Sequence, residues 1–234
     1  MWTVSSTARR PTSSPRPSPV CRCGAEGEAM SSWIRRNFGG IGLTQSPPGP
    51  HLPRLQERYG GHVLLCIDVS GSMSGGLLSQ AIAGGEQFLA EAGGAHYESG
   101  LVLWSDGVQE YVPPEAQLHD VISVLRKAKA AGGTVLSHAL QLGIDVLPEY
   151  PGDRVLCIFS DGALADHEKA SALAQKACSM GIRIIVRGLG RKAASALADL
   201  ACPGVRDDDQ QIDDAAGVAS GIASMATGLS VRGG

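Results

Sequence analysis

Short, nearly continuous apolar runs recur along the chain from Gly61 onward. They are rich in branched residues and cover 63–67, 101–104, 155–159 and 184–186. Runs of this length and composition are typical of strands in a parallel sheet that is covered on both faces. The pattern therefore predicts core strands at these positions.

The segments between these runs carry apolar residues at helical spacing. The repeat is clearest over 77–89 and 136–147 and weaker over 118–128 and 173–180. An Ala/Gly-rich stretch over 213–229 predicts a last helix. Because alternating strands and helices need crossover connections, the order of elements favours a mostly parallel sheet.

A different kind of strand is predicted at 108–112, where polar and apolar residues mix directly after Ser105-Asp106-Gly107. This composition indicates an antiparallel edge strand joined by a tight Asp-Gly turn, to which we assign Asp106. The expected fold class is thus α/β. It is a doubly wound, mostly parallel six-stranded sheet with one antiparallel edge strand and helices on both faces.

The first 58 residues have a Pro/Ser/Arg bias and no sustained periodicity. We predict a disordered arm over 1–58, one domain over 59–230 and a tail over 231–234. Met30 is an alternative start. The pair Cys21-x-Cys23 has no second Cys or His pair at zinc spacing, so we expect no metal site there.

Charge and composition narrow the function classes. The net charge is −3, and no basic stripe follows residue 60, so we expect no nucleic-acid partner. No apolar run approaches the roughly 18 residues that span a bilayer, and arginines among prolines stand where a signal peptide needs an apolar region. These features favour a cytoplasmic protein without membrane contact.

The chain has six cysteines, too few for a disulfide framework at this length. Four of them fall inside apolar strand or helix patterns. They are Cys66, Cys157, Cys178 and Cys202. We therefore predict buried free thiols at these four positions.

Oxygen-bearing residues follow two of the predicted strands and open one helix. The stretches are Asp68-Val69-Ser70-Gly71-Ser72 after the first strand, Ser160-Asp161-Gly162 after 155–159, and Gly132-Gly133-Thr134 before the helix at 136–147. In open α/β sheets ligands bind beyond the carboxyl ends of the strands. The two carboxylates of Asp68 and Asp161 and the three hydroxyls of Ser70, Ser72 and Thr134 select Mg²⁺, Mn²⁺ or Ca²⁺ over zinc and leave room for an acidic ligand oxygen.

This set of residues resembles the metal-ion-dependent adhesion site of von Willebrand factor A domains of the stand-alone bacterial type. The pattern of that site is D-x-S-x-S, then a threonine, then a strand-end aspartate. The matching residues are Asp68, Ser70, Ser72, Thr134 and Asp161, in that order. The resemblance covers about 61–230 and implies a Rossmann-like fold. The acidic stretch 203–214 departs from the family pattern and leaves the last strand undefined.

The resemblance also implies ligand roles. Ser70, Ser72 and Thr134 would bind Mg²⁺ directly through their hydroxyls, and Asp68 and Asp161 would bind it directly or through water. Mn²⁺ and Ca²⁺ are the alternative ions. The implied function is a non-catalytic module that captures an Asp or Glu side chain of a partner protein, such as a MoxR-type AAA+ ATPase or a component of a tellurium-resistance system. We expect a monomer.

Two other functions compete with this one. The first is a Mg²⁺-dependent phosphohydrolase or phosphotransferase with Asp68 as its nucleophile. Against it, Ser70 stands where a second aspartate would help, no lysine follows to neutralise a phosphate, and GSMSG does not match the G-x-S-x-G elbow. The second is a structural domain with a vestigial metal site, which the complete set of five residues argues against.

Other polar residues have simpler interpretations. We expect His138 and His167 to be exposed or packed against a helix. The aspartates at 207–209, with Asp213 and Asp214, are expected to form a solvated acidic loop.

Overall fold

The computed structural model describes residues 60–202 and 211–230. The predicted arm at 1–58, the pair Cys21-x-Cys23 and the tail at 231–234 lie outside the described residues, as do the aspartates at 207–209.

Six strands form one sheet in the order β3-β2-β1-β4-β5-β6. Their bounds are β1 Gly61–Asp68, β2 Tyr97–Trp104, β3 Val108–Val112, β4 Asp153–Ser160, β5 Ile182–Leu189 and β6 Gln211–Ile212. Among the six described strands, only β3 pairs antiparallel with its neighbour, and every other pair is parallel. The predicted fold class, including the antiparallel edge strand, is confirmed. The last strand, which the sequence left undefined, is described at Gln211–Ile212.

In the ranges that the structure describes, six α-helices connect and cover the strands. They are α1 Gly76–Gly94, α2 Leu118–Leu125, α3 Ser137–Val146, α4 His167–Ser179, α5 Gly190–Ala198 and α6 Val218–Ser230. Helix α5 was not predicted, because its nine residues begin with a glycine and two basic residues and supply too few apolar positions for a clear repeat. It lies close to the end of β5, where a Cβ on Gly188 would stand 2.3 Å from the backbone nitrogen of Ala194.

Alternate residues of the central strand β1 enter two separate cores. Val63, Leu65 and Ile67 pack in the core formed with α1, α2 and α6. Leu64 and Cys66 pack in the core formed with α3, α4 and α5. A strand that is buried on both faces has no polar side to alternate with, which explains its continuous apolar run.

Two of the four predicted buried thiols are correct. Cys66 and Cys157 are buried and free, and burial raises the pKa of Cys66 to about 12. The prediction was wrong for Cys178 and Cys202, which form a disulfide. The unpredicted helix α5 returns the chain to the end of α4, and this return brings the two cysteines together.

None of the helices in the described ranges is both long and apolar enough to cross a membrane.

The connections between strands place a crevice between β1 and β4. From β1 the chain continues to β2 and β3 on one side, and it then returns to β4 on the other side of β1. Ligands of open α/β sheets bind at such a reversal of strand order, outside the carboxyl ends of the strands. Asp68 ends β1 and Ser160 ends β4, so the predicted site residues lie at this crevice.

Candidate metal centre

Asp68 is fixed by hydrogen bonds to both of its carboxylate oxygens. Its Oδ1 accepts from the backbone N–H of Ser70 at 2.7 Å, and its Oδ2 accepts from the hydroxyl of Ser160 at 2.5 Å. The Asp68 side chain is 0% exposed. Ser160 was not among the predicted site residues, although its position at the end of the neighbouring strand was a usable signal.

A chain of oxygen atoms leads from the buried part of the site to its surface. Ser70 is buried and its Oγ lies 2.9 Å from Oγ of Ser72, which is exposed. Ser72 donates to Oδ1 of Asp161 at 2.7 Å. A 3-10 turn at Gly71–Met73 places Ser72 back over Ser70, and it is closed by the N–H of Met73 donating to the Ser70 carbonyl.

Thr134 is held beside this chain by backbone hydrogen bonds. The N–H of Gly71 donates to the carbonyl of Gly132 at 3.0 Å, and the N–H of Ala165 donates to the carbonyl of Thr134 at 2.9 Å. Thr134 Oγ1 lies 3.9 Å from the point where a Cβ on Gly162 would stand. The loop with Thr134 therefore contacts both the segment after Asp68 and the segment after Asp161.

Asp106 positions the loop that contains Thr134. It lies in the turn between β2 and β3, as predicted, and its Oδ1 also accepts from the N–H of Gly133 at 2.7 Å. Gly132 has a φ of 84°, and a Cβ there would stand 2.5 Å from Oδ2 of Asp106. A side chain at Gly132 would therefore be strained and would displace the Asp106 carboxylate.

Asp166 caps helix α3 from a distant part of the chain. Its two carboxylate oxygens accept from the N–H groups of Leu136 at 3.0 Å and Ser137 at 2.8 Å. Burial by itself would raise the pKa of Asp166, but hydrogen bonds from Ser137 and Leu136 outweigh it and lower that pKa. The contact joins the segment after Asp161 to the helix that follows Thr134.

We expect Asp166→Ala to lower the free energy of unfolding by about 1 kcal/mol at pH 7, because it leaves helix N–H groups without their acceptor. A depressed native pKa means that the stabilisation is present above the unfolded-state pKa of about 3.9 and is lost as the pH falls through the native pKa. Urea unfolding of both proteins at pH 7 and at about pH 2.5 measures this difference.

The matched control for this substitution is Asp145→Ala, which removes an exposed carboxylate from the same helix. Its expected effect is within about 0.5 kcal/mol at either pH. An Asp166→Ala protein that unfolds at the same urea concentration as the wild type at pH 7 would contradict the capping role.

No cation from the described part of the chain pairs with the two carboxylates of the cluster. Burial raises the pKa of Asp68, and the negative charge of Asp161 adds to this effect, while hydrogen bonds from Ser160 and Ser70 oppose it. Within the described part of the chain, neither Asp68 nor Asp161 forms an ion pair. A buried carboxylate without a counter-charge is costly, and a bound cation would relieve that cost.

The donor atoms suit a hard divalent cation. Octahedral Mg²⁺ at 2.0–2.1 Å from its ligands puts adjacent ligand oxygens about 2.9 Å apart. The Ser70–Ser72 and Ser72–Asp161 oxygen separations are 2.9 and 2.7 Å. Over 60–202 and 211–230, no group of three or more His, Cys, Asp or Glu side chains could hold a metal ion. The cluster thus depends on hydroxyl oxygens, which favour Mg²⁺ or Ca²⁺ over thiolate- and imidazole-binding metals.

The remaining polar candidates lie outside this cluster. His138 is exposed, with Nδ1 3.9 Å from where a Cβ on Gly107 would stand. His167 contacts the carbonyl of Ala196 at 3.1 Å and so packs against α5. Asp214 accepts from the N–H of Gly217 at 2.9 Å and caps a 3-10 turn.

Comparison with known proteins agrees with this fold. Residues 63–163 match the sequence profile of the von Willebrand factor type A domain. No curated protein sequence matches the chain.

Solved structures share the fold at low sequence identity. A von Willebrand factor type A protein from Catenulispora acidiphila is 16% identical with a TM-score of 0.60, over 73% of this chain and 43% of that one. The vWF domain of a type V pili tip protein from Porphyromonas gingivalis is 13% identical with a TM-score of 0.60, over 76% of this chain and 98% of that one.

The description of a third similar solved structure names a bound metal. Proximal thread matrix protein 1 from the mussel byssus, described with a zinc-occupied MIDAS motif, is 13% identical with a TM-score of 0.54, over 73% of this chain and 46% of that one. The chain thus spans less than half of the Catenulispora and mussel proteins. At these identities the structural matches show the fold alone.

Proposed function

We propose that this chain, which contains a von Willebrand factor type A domain, is a non-catalytic, divalent-metal-dependent protein-binding module. The observation that carries the proposal is a continuous set of contacts at the sheet crevice. Buried Asp68 accepts from the backbone N–H of Ser70, and oxygen contacts then lead from the Ser70 hydroxyl through Ser72 to Asp161. Carboxylate and hydroxyl oxygens at these spacings suit a hard cation.

Five side chains would hold the ion. Ser70, Ser72 and Thr134 would contribute hydroxyl oxygens, and Asp68 and Asp161 would contribute carboxylate oxygens directly or through water. Mg²⁺ is our first choice because the donors are all oxygen, with Mn²⁺ and Ca²⁺ as alternatives. The zinc named for the mussel protein makes Zn²⁺ a useful comparison ion. When bound, the cation would supply a coordination position for an oxygen atom of a partner.

The chain's own residues determine which side of the site is open. Asp68 and Ser70 are buried on the inner side, whereas Ser72 is exposed and Asp161 is half-buried on the outer side. The two carboxylates together carry a charge of −2, which neutralises a dication without an excess of negative charge. A further anionic oxygen can therefore approach from solvent. We propose that this oxygen belongs to an Asp or Glu side chain of a partner protein, with a MoxR-type AAA+ ATPase or a tellurium-resistance component as the first partners to test. We propose that the module acts as a monomer.

Thr134→Ala should weaken Mg²⁺ and Mn²⁺ binding at least about tenfold, since it removes one of the few protein ligands without changing the backbone hydrogen bonds of its loop. Isothermal titration calorimetry with each ion measures the loss. Circular dichroism should show an unchanged fold.

The control is Ser74→Ala, which removes an exposed hydroxyl from the same stretch as Ser70 and Ser72. It should bind both ions as the wild type does. Equal ion affinity in Thr134→Ala and the wild type, or partner capture that is unchanged in EDTA, would count against the proposal.

The alternative is a Mg²⁺-dependent phosphohydrolase that uses Asp68 as nucleophile. The geometry does not favour it, because Asp68 is 0% exposed and both of its oxygens already accept hydrogen bonds. A nucleophile needs access to its substrate at about 3–3.5 Å. Release of phosphate from p-nitrophenyl phosphate in Mg²⁺ but not in EDTA, and its loss in Asp68→Asn, would support the alternative.

A further inference from the structure

We infer that the partner segment carries additional Asp or Glu residues on both sides of its metal-binding carboxylate, and that two cationic cavities beside the metal centre bind them. This inference rests on the proposed function and names the chemistry of the partner.

The first cavity lies on the β2 side of the site and has a volume of about 510 Å³. Its apolar wall includes Val69, the residue between Asp68 and Ser70, together with Leu103 and Val124. Its charged lining is Lys127, Lys129 and Glu110, which gives a net positive charge. Both lysines are exposed.

The second cavity lies on the β5 side of the site and has a volume of about 540 Å³. It begins at Ala163, two residues after Asp161, and its cationic lining is Arg191 and Lys192 at the start of α5. Asp199 also lines it, but this carboxylate lies 3.7 Å from Nε2 of His167. Arg191 and Lys192 are both exposed.

The strand order puts the metal centre between these cavities. Residues of β2 and β3 and the segment after β1 contribute to the first cavity, and the second is formed by the segment after β4 and by α5 after β5. Asp68 and Asp161 lie at the ends of the two central strands β1 and β4. An extended segment that placed one carboxylate at the centre could therefore reach a cavity with the residues on each side of it.

The cations are concentrated at these two cavities. Of the ten Lys and Arg residues in the described ranges, seven are exposed, and four of those seven line the cavities. Arg126 and Arg183 form ion pairs with Glu86 and Asp153. By contrast, the four cavity cations have no ion pair within the part of the chain that the structure describes. In a chain of net charge −3, such a distribution favours an anionic ligand.

An acidic peptide fits these features better than a nucleic acid does. The first cavity has an apolar wall that can cover the stems of amino-acid side chains, and the cations lie in two separate cavities. A nucleic-acid surface would show one continuous basic stripe.

Three synthetic peptides test the inference by NMR titration of the full chain. The first has a central Glu flanked by two Asp on each side, the second has the same Glu flanked by Ser, and the third has Asp flanks around a central Gln. In Mg²⁺ at about 50 mM salt, we expect the first to bind about tenfold more tightly than the second. At about 0.5 M NaCl this preference should fall below about threefold, since exposed charges are then screened. The third peptide should lose most of the Mg²⁺-dependent affinity.

Charge-reversal variants locate the effect. Lys127→Glu/Lys129→Glu and Arg191→Glu/Lys192→Glu should each weaken the Asp-flanked peptide about threefold or more and leave the Ser-flanked peptide unchanged. The matched control is Lys169→Glu/Lys176→Glu, which reverses two exposed lysines of α4 outside both cavities. It changes the net charge equally and should leave both affinities unchanged.

The outcomes separate this inference from the proposed function. Equal Mg²⁺-dependent binding of the Asp-flanked and Ser-flanked peptides would overturn the inference and leave the metal-dependent module standing. If neither the Asp-flanked nor the Ser-flanked peptide showed Mg²⁺-dependent binding, the inference and the proposed function would both be overturned. If the control variant weakened binding as much as the cavity variants do, the effect would come from net charge alone, and the inference would be overturned. Tighter binding of a ten-residue oligothymidine would also overturn it.

Discussion

Magnesium should raise the thermal midpoint of the wild-type protein by about 5–10 °C, and the Asp68→Asn variant should show no such rise. A ligand at a hundred times its dissociation constant adds about 2.7 kcal/mol to the free energy of unfolding. For a domain of this size, 1 kcal/mol corresponds to about 2–4 °C. Differential scanning calorimetry in Mg²⁺ and in EDTA measures both proteins.

In EDTA the wild type should be less stable than the Asp68→Asn variant, which is the reverse of the order expected in Mg²⁺. Burial raises the native pKa of Asp68 above its unfolded value, so the ionised carboxylate opposes folding at neutral pH. The contribution of Asp68 is most favourable below the unfolded-state pKa of about 3.9 and is lost as the pH rises through the native pKa. The amide introduced by Asp68→Asn carries no charge, and its oxygen can still accept from the N–H of Ser70. This variant should therefore be more stable than the wild type at pH 7 without metal.

Asp145→Asn is the control, because it neutralises an exposed carboxylate outside the cluster. It should keep the full response to Mg²⁺. A wild-type protein with the same midpoint in Mg²⁺ and in EDTA would show that the cluster does not bind this ion in the native state.

Loss of the disulfide between Cys178 and Cys202 should reduce the free energy of unfolding by about 3–4 kcal/mol. The bond closes a loop with a sequence separation of 24 that contains β5 and α5. The chain-entropy relation gives this magnitude for a loop of that length. The thermal midpoint of Cys178→Ser/Cys202→Ser should therefore fall by about 6–16 °C.

Dithiothreitol separates this effect from the effect of the substitutions themselves. It should lower the midpoint of the wild type and leave that of Cys178→Ser/Cys202→Ser unchanged. Peptide mapping without reductant should recover the two cysteines as a linked pair. A wild type that is insensitive to the reductant would contradict the stabilising role.

The disulfide also bears on where the protein acts. Disulfides persist mainly in oxidising compartments, whereas the sequence favoured a cytoplasmic location. Mapping the linked pair in protein taken directly from its native cells, with thiols blocked at lysis, would decide between these two locations.

Most of the fold followed from local pattern. The branched apolar runs at 63–67 and 155–159 lie inside β1 and β4, and the strand predicted at 108–112 has the observed bounds of β3. Such runs can be recognised as strands from the sequence alone, because both faces of the central strands are buried and apolar residues occupy successive positions. Helix α5 was not predicted, because a nine-residue helix is too short to show a clear 3.6-residue repeat of apolar residues.

The sequence by itself determined where five of the six described strands lie and pointed to five oxygen-bearing residues as candidate ligands. Parallel strands end at a common edge, so residues that follow different strands must approach one another. Only the tertiary structure decided how Asp68 is held by Ser160, 92 residues away, and how Asp106 and Asp166 hold the segments around Thr134. It alone paired Cys178 with Cys202 and placed lysines and arginines on both sides of the site. These contacts depend on the distance and direction of side chains from separate elements, which no local spacing of residues specifies.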